Sequence, residues 1–412
     1  MKNLGICAII LVLGVLGPQN KIDSPYAPVW MLGLLILLAF LGEQWARNLR
    51  LPPLVGWLAA GLVLGPAGLH TVIPPNFLFL QFFQALAAVW IGFQVGISLL
   101  WSQGTSSWRI PVLLMAVTLT TCLLTTLALT FLVALPWWLA LLLGALTSLW
   151  GPFTGWTLRR NRRTLVLLGI VGNGTALIVL SAVLLVLHHQ NILASAPLVG
   201  RLWLSLLAGA LAAELLYRLD VFSRNTTTIL VGLSACFVLA TLTVLHFHFY
   251  ALPFGFGAGL VLVLHRDRIR QVHQALAPLR TAPSLFFFAL AGATLDPQLL
   301  WPPQPGLYKI AALLGLILVL VRVLGPAVWN PLPLPSSGRH IGLLLLPRGA
   351  LLFELFYHPA GDLGKLVGPP WKILLQQVVL ADILIGTLAF SALALLIAGI
   401  ARRTAFARMA TT

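Results

Sequence analysis

The sequence predicts an all-α polytopic membrane protein, and three observations support this fold class. Hydrophobic residues make up 59% of the 412 residues and charged residues only 8%, so no soluble domain of useful size remains. Apolar runs long enough to form membrane helices follow one another along nearly the whole chain. The basic residues, which give a formal net charge of +16, fall in short clusters between those runs. Such clusters are typical of cytoplasmic loops, and nucleic acid is therefore not an expected partner.

Fourteen apolar runs are predicted to form helices in a lipid bilayer. The first run is compatible with a signal peptide, but no small-residue cleavage site follows Gly17, which favours a retained helix. With the amino terminus inside, most arginines lie on the cytoplasmic side, which predicts a multi-pass protein of the cell (inner) membrane. The runs cover residues 3–17, 28–48, 53–66, 77–100, 110–134, 136–157, 164–187, 197–217, 227–245, 247–264, 283–300, 307–328, 339–357 and 372–400.

An internal repeat relates the two halves of the chain. The string AGLVL occurs at 60–64 and again at 258–262, and GISL at 96–99 resembles GATL at 292–295. Seven predicted helices separate equivalent positions, so the two copies have opposite orientations in the membrane. We therefore predict an inverted repeat of two six-helix units. The segments are an amino-terminal helix or signal-like segment at 1–27, repeat one at 28–188, a linker helix at 189–225, repeat two at 226–400 and a short basic cytoplasmic tail at 401–412.

Two of the predicted helices are interrupted by proline near their centres. In the run 136–157, Thr147 and Ser148 precede Gly151 and Pro152, and the proline predicts unwinding near Gly151. The alternative is a plain kink packed against neighbouring helices. At an offset of 196, Gly151 corresponds to Pro347, which is followed by Arg348 in the run 339–357. We predict that the two broken helices cross near the bilayer midplane and present unwound backbone to a substrate.

Polar groups predicted at membrane depth supply the remaining candidates. Asn173 and Thr175 lie near the middle of the helix predicted at 164–187. Most of the nine acidic residues are explained by loops or by arginines four residues away, as with Glu43 and Arg47, Glu214 and Arg218, and Asp220 and Arg224. Glu354 and Asp382 remain. A carboxylate inside a membrane is costly and is usually functional or paired, so both are candidate proton carriers.

Arg348 has two interpretations at this level. It pairs with Asp382 or Glu354 and stabilises the fold, or it joins half-helix amino termini in a site that favours an anion. No metal site is predicted, because the three cysteines are far apart in apolar segments and the histidine pairs fall in short outer loops. No cofactor is implied. An enzyme is not expected, since no nucleophile, base and orienting group come together in the sequence.

Four motifs resemble those of one transporter family. They are LPPLVGWLAAGLVLGPAGL at 51–69, FQVGISL at 93–99, FFFALAGATLD at 286–296 and PRGA at 347–350. The chain resembles the monovalent cation:proton antiporter superfamily, especially its potassium-efflux and prokaryotic sodium/proton exchanger branch. The resemblance implies a gate bundle and a core bundle, an elevator-like movement of the core, a homodimer, and exchange of Na⁺ or K⁺ for protons.

The sequence departs from that family at the expected ion site. Trp150, Gly151 and Pro152 stand where the family commonly has Thr-Asp-Pro, and Gly172 and Asn173 stand where many members have Asn-Asp or Asp-Asp. The ion-binding carboxylate is therefore absent. Cation/proton antiport is the leading functional hypothesis. The alternatives are transport of an anionic or neutral organic solute on the same fold, and a membrane sensor or partner that transports nothing.

Overall fold

The structure is a computed structural model. It describes residues 27–49, 51, 53–65, 68–69, 77–97, 109–149, 162–218, 226–265, 272, 276, 282–294, 307–320, 354–355, 374–375 and 377–379. These residues form helices and connecting turns, with no β-strand among them. The helices are α1 (Ala27–Asn48), α2 (Pro53–Leu64), α3 (Phe77–Ile97), α4 (Arg109–Leu132), α5 (Trp137–Thr147), α6 (Arg162–His189), α7 (Ala196–Arg218), α8 (Thr226–His246), α9 (Ala251–Leu264), α10 (Ala282–Thr294) and α11 (Leu307–Val319).

The all-α fold class predicted from the sequence is confirmed. Each helix coincides with one predicted span, with ends that differ by a few residues in most cases. Five described stretches are long and apolar enough to cross a membrane: Val29–Asn48, Phe79–Ile97, Met115–Leu132, Ala196–Arg218 and Ile229–His246. The predicted span 3–17 lies outside the described residues, as do nearly all of 339–357 and 372–400.

The helices pack in two groups. In the first group, α2 packs between α1 and α10, while α9 packs between α3 and α7. In the second group, α4 packs against α5, α6 and α11. Contacts of α6 with α7 and α3 connect the groups. This arrangement places α4 beside α5 and α6. The α5 helix lies in the run predicted as the first broken helix, and α6 contains Asn173.

Two glycine contacts in the first group correspond to each other under the predicted repeat. A Cβ atom on Gly61 of α2 would lie 1.9 Å from the carbonyl oxygen of Ala289 in α10. A Cβ atom on Gly259 of α9 would lie 2.5 Å from the carbonyl oxygen of Phe93 in α3. Gly259 follows Gly61 by the offset of the AGLVL copies, and Ala289 follows Phe93 by the offset of the second motif pair. Corresponding residues thus make corresponding contacts, while the inverted orientation stays a prediction.

Substitution of either glycine by alanine is expected to destabilise the protein. The added Cβ would overlap a backbone carbonyl, which cannot rotate away as a side chain can, and overpacking of this kind costs about 1–3 kcal/mol. We therefore expect Gly61→Ala and Gly259→Ala to lower the Tm of the detergent-solubilised protein. Gly33→Ala in α1 is the matched control, because a Cβ there meets no atom within 4 Å. A Tm for Gly61→Ala equal to that of Gly33→Ala would show that the α2–α10 contact is loose.

Candidate functional site

The carboxyl end of α5 carries two predicted site residues, Thr147 and Ser148. The helix ends at Thr147, with Ser148 as its C-cap, well inside the apolar run predicted as one span. The Thr147 hydroxyl donates to the carbonyl oxygen of Gly144 at 2.9 Å, and the Ser148 hydroxyl donates to that of Ala145 at 2.6 Å. Both side chains are buried. The helix therefore terminates in buried hydroxyl groups ahead of Gly151.

A row of threonines on α4 faces this end of α5. Thr118, Thr121 and Thr125 are 0%, 0% and 1% exposed. Their spacing of three and four residues places them on one face of the helix. The Thr121 hydroxyl donates to the carbonyl oxygen of Val117 at 2.7 Å, one turn back in the same helix.

The threonine row contacts both neighbouring helices. The Thr118 hydroxyl oxygen lies 3.5 Å from that of Thr175 in α6, and the Thr147 hydroxyl oxygen lies 3.5 Å from that of Thr125. Thr175 is buried as well. We term the buried hydroxyl groups of these three packed helices the hydroxyl cluster: Thr118, Thr121, Thr125, Thr147, Ser148 and Thr175.

Close packing of α4 on α5 fixes the position of this cluster. A Cβ atom on Gly144 would lie 2.6 Å from both the carbonyl oxygen of Cys122 and the hydroxyl oxygen of Thr126. Only glycine allows the two helices this approach, which is a common device for helix association in membranes. The Thr126 hydroxyl in turn donates to the Cys122 carbonyl at 2.8 Å. The α4–α5 pair therefore packs closely beside its hydroxyl groups.

The hydroxyl oxygens of the cluster carry lone pairs that can accept hydrogen bonds or coordinate a cation. A hydroxyl that donates its hydrogen to a carbonyl of its own helix keeps its oxygen lone pairs as acceptors. Thr121 and Ser148 donate in this way. Oxygen atoms are the ligands that hard cations prefer. Threonine and serine hydroxyls do not titrate near neutral pH, so these oxygens form a neutral acceptor surface.

Two of the site residues predicted from the sequence contact the same neighbouring helix. Thr147 contacts Thr125 of α4, and Thr175 contacts Thr118 of α4, while Ser148 bonds within α5. Asn173 falls within α6, but its side chain lies outside the described residues. The remaining predicted site residues also lie outside them, namely Gly151, Pro152, Pro347, Arg348 and Asp382.

Glu354 is described, and it lies at the amino terminus of α9. Its side chain is 2% exposed, and its carboxylate accepts the backbone N–H groups of Ala251 and Leu252. The Tyr250 N–H donates to the hydroxyl of Ser205 in α7 at 2.9 Å. The next residue of α9, Pro253, has no N–H to satisfy. Glu354 and Ser205 thus satisfy the amide groups that begin α9 and would otherwise lack a partner.

The predicted acid–arginine pairs are confirmed where they are described. The Arg47 side chain donates to Glu43, which also accepts the indole N–H of Trp57 at 3.1 Å. At the end of α7, Arg218 donates to Glu214 at 2.9 Å. Asp220 and Arg224 lie outside the described residues. These carboxylates therefore have structural partners.

Glu214 has a further partner that the sequence did not indicate. The Nε2 atom of His265, which follows α9, lies 2.9 Å from a carboxylate oxygen of Glu214, and the His265 ring stacks on Tyr217. Within the described part of the chain, no group of three His, Cys, Asp or Glu side chains is placed to hold a metal ion.

The α4 threonines are functional candidates that reasoning from the sequence missed. The signal was present, because Thr118, Thr121 and Thr125 recur with helical spacing inside the apolar run 110–134. Threonine is common in membrane helices, however, and its face is identified only by the helices packed against it. The contact of Glu354 with α9 had no local signal, because about one hundred residues separate the partners.

Comparisons with known proteins agree with this architecture. The family model described as "Sodium/hydrogen exchanger, transmembrane" matches residues 33–403. Among solved structures, 38 chains match. One is the sodium proton antiporter MjNhaP1 from Methanocaldococcus jannaschii at pH 8, with 18% sequence identity and a TM-score of 0.60 over 90% of this chain and 98% of that chain. At this identity the likeness concerns the fold. No curated protein sequence matches the chain.

Proposed function

The chain belongs to the sodium/hydrogen exchanger family, and from this membership we propose that it exchanges a monovalent cation for protons across the cell membrane. The observation that carries the proposal is the hydroxyl cluster. Six buried hydroxyl groups on α4, α5 and α6 form a neutral oxygen surface at the end of a helix that stops inside an apolar run. Such a surface suits an ion of single charge, since the described residues of the cluster are hydroxyl groups and include no carboxylate to balance a second charge.

Because position 173 is an asparagine, the proposed exchange needs different groups to bind the cation and the proton. Its amide replaces the carboxylate that many resembling transporters have at this position, and an amide does not bind and release a proton near neutral pH. In this chain the cation and the proton are therefore held by different groups. The cation is held by neutral oxygens, for which Asn173, Thr147 and Thr175 are the candidate ligands predicted from the sequence. Asp382 is the first candidate for the proton and Glu354 the second.

Transport of an organic solute is the second candidate function. Hydroxyl groups also hydrogen-bond polar solutes, and Arg348 is a cation predicted at membrane depth beside a broken helix. An anionic solute would be attracted by Arg348 and would use the same hydroxyl cluster. The two candidate functions are distinguished by which solute the protein transports across the membrane.

The proposal is tested with purified protein in liposomes that contain a pH-sensitive dye. After an acidic interior is imposed, pulses of Na⁺, K⁺ or Li⁺ are added outside. We expect at least one of these cations to alkalinise the interior, because cation entry is coupled to proton exit. Protein-free liposomes and choline pulses are the controls. No response to any cation, together with uptake of a labelled organic anion, would favour the second function; no flux of any kind would favour a non-transporting role.

A further inference from the structure

We propose that the carboxylate of Glu354 is a proton-controlled latch between the run predicted at 339–357 and the amino terminus of α9. The ionised carboxylate holds the run against α9, and protonation releases it. The run contains Pro347 and Arg348, which are predicted site residues. The latch therefore joins a predicted part of the site to the first helix group. Its effect on transport rests on the proposed function, whereas the contact itself does not.

The α9 helix begins without a cap of its own. Its N-cap residue is Tyr250, which forms no side-chain hydrogen bond to the first turn. Helices usually begin with Ser, Thr, Asp or Asn, whose side chain accepts one of the first amide groups. The Leu252 N–H lies 3.2 and 3.1 Å from the two oxygens of Glu354, and the Ala251 N–H donates to the first of them. The helix thus takes its cap from a residue about one hundred positions later.

The strength of this contact depends on the charge of Glu354. An ionised carboxylate only accepts hydrogen bonds, and charge-assisted bonds are about twice as strong as neutral ones. The amino terminus of a helix also favours a negative charge. A protonated carboxyl group carries an O–H donor, and a backbone N–H cannot accept it. Protonation therefore weakens the hold of Glu354 on α9.

The contacts described for Glu354 are to backbone amides. In the part of the chain that the structure describes, no basic side chain pairs with it. The α9 helix packs against α3, α7 and α8, and neither α9 nor α3 carries an acidic or basic residue. Titratable or charged side chains on the other elements are Arg201, Glu214, Tyr217 and Arg218 of α7, Cys236 and His246 of α8, His248 and Tyr250 in the turn before α9, and His265 after it. Arg348 and Tyr357 of its own run lie outside the described residues. The described partners of the Glu354 charge are thus the amides of α9.

The test is hydrogen–deuterium exchange of the detergent-solubilised protein, measured by mass spectrometry on a peptide that covers residues 250–256. Exchange of an amide reports the local opening of its hydrogen bond. Wild type and Glu354→Gln are compared at pH values on both sides of neutrality, so that the intrinsic effect of pH on exchange cancels. At high pH we expect the amides of Ala251 and Leu252 to exchange about tenfold more slowly in wild type, as a bond to a charged acceptor allows. At low pH this ratio is expected to fall toward one. A ratio that does not change with pH would overturn the latch.

A control and a second variant keep the test decisive. Glu214→Gln removes a carboxylate near the other end of α9 and is expected to leave the pH dependence of the two amides as in wild type. Loss of the pH dependence in this control would show that Glu354 is not its cause. Should Glu354→Gln fail to fold, Ala251→Pro takes its place, with the Leu252 amide as the readout. Proline is tolerated at the first position of a helix, and Tyr250 already has the extended backbone that a following proline requires, with φ −82° and ψ 121°.

The failure of this inference is distinguishable from the failure of the proposed function, because exchange is measured without transport. A wild type that exchanges cations for protons, with an amide ratio that pH does not change, overturns the latch and leaves the proposed function. A wild type that moves no cation, with a ratio that falls at low pH, overturns the proposed function and leaves the latch. Where both hold, cation-driven flux in Glu354→Gln liposomes is expected to depend less on pH than in wild type. An equal dependence on pH would show that the latch does not govern transport.

Discussion

Asp382→Asn is expected to abolish cation-driven proton flux. The sequence places Asp382 near the middle of the last predicted membrane helix, within QQVVLADILIG at 376–386. A transported proton must reside on a group that titrates, and the hydroxyl cluster and Asn173 offer none. Asparagine keeps the size and polarity of aspartate but removes its exchangeable proton. The variant is therefore expected to retain cation-induced stabilisation while losing the pH change of the liposome interior.

Asp362→Asn is the control for this substitution, because Asp362 falls in a predicted outer loop. It is expected to leave the coupled flux unchanged. Asp382→Asn and Glu354→Gln are then combined, since Glu354 is the second candidate carrier. Wild-type coupled flux in both single variants and in the double variant would show that neither carboxylate carries the proton.

Glu354→Ala is expected to cause a large loss of stability. The carboxylate accepts the backbone N–H groups of Ala251 and Leu252 at the amino terminus of α9. Alanine leaves both groups without their acceptor in a buried position, and each stranded N–H costs about 1–3 kcal/mol. A lower Tm and a lower yield of folded protein in detergent are the expected observations. Glu354→Gln keeps one carbonyl oxygen as an acceptor, so its Tm is expected to fall less than that of Glu354→Ala.

Glu214→Ala is the matched control for this experiment. Glu214 also accepts hydrogen bonds, but its side chain is one-third exposed and its partners remain accessible to water. Its removal is expected to change the Tm little. Equal Tm values for Glu354→Ala and wild type would contradict the capping role. Glu354→Gln with wild-type stability and no coupled flux would instead identify Glu354 as a proton carrier.

The sequence was sufficient to predict the fold class because the sequence signal for a membrane helix is local. A membrane helix must satisfy its own backbone within a continuous apolar run, so each run predicts one helix independently of its neighbours. The α5 helix shows the limit of this rule. Its apolar run predicted one span at 136–157 with unwinding near Gly151, whereas the helix ends at Thr147, where the hydroxyls of Thr147 and Ser148 bond back to its last carbonyl groups.

The sequence was less informative about the site because the site is a tertiary arrangement. Thr147, Ser148 and Thr175 were predicted as site residues from their association with proline and glycine motifs. The α4 threonines have no such motif, and their role depends on which helices pack against that face. Glu354 shows the same limit, since a carboxylate predicted at membrane depth turned out to contact the start of a helix about one hundred residues away.

The most direct test of the central claim is uphill accumulation of a cation driven by protons alone. Liposomes with an acidic interior and equal cation concentrations on both sides are supplied with a tracer of the cation that responds in the dye assay. The account predicts that the tracer accumulates inside above its outside concentration and leaves again when an uncoupler collapses the pH gradient. Tracer that only equilibrates, at the same level with and without the gradient, would contradict cation/proton exchange by this protein.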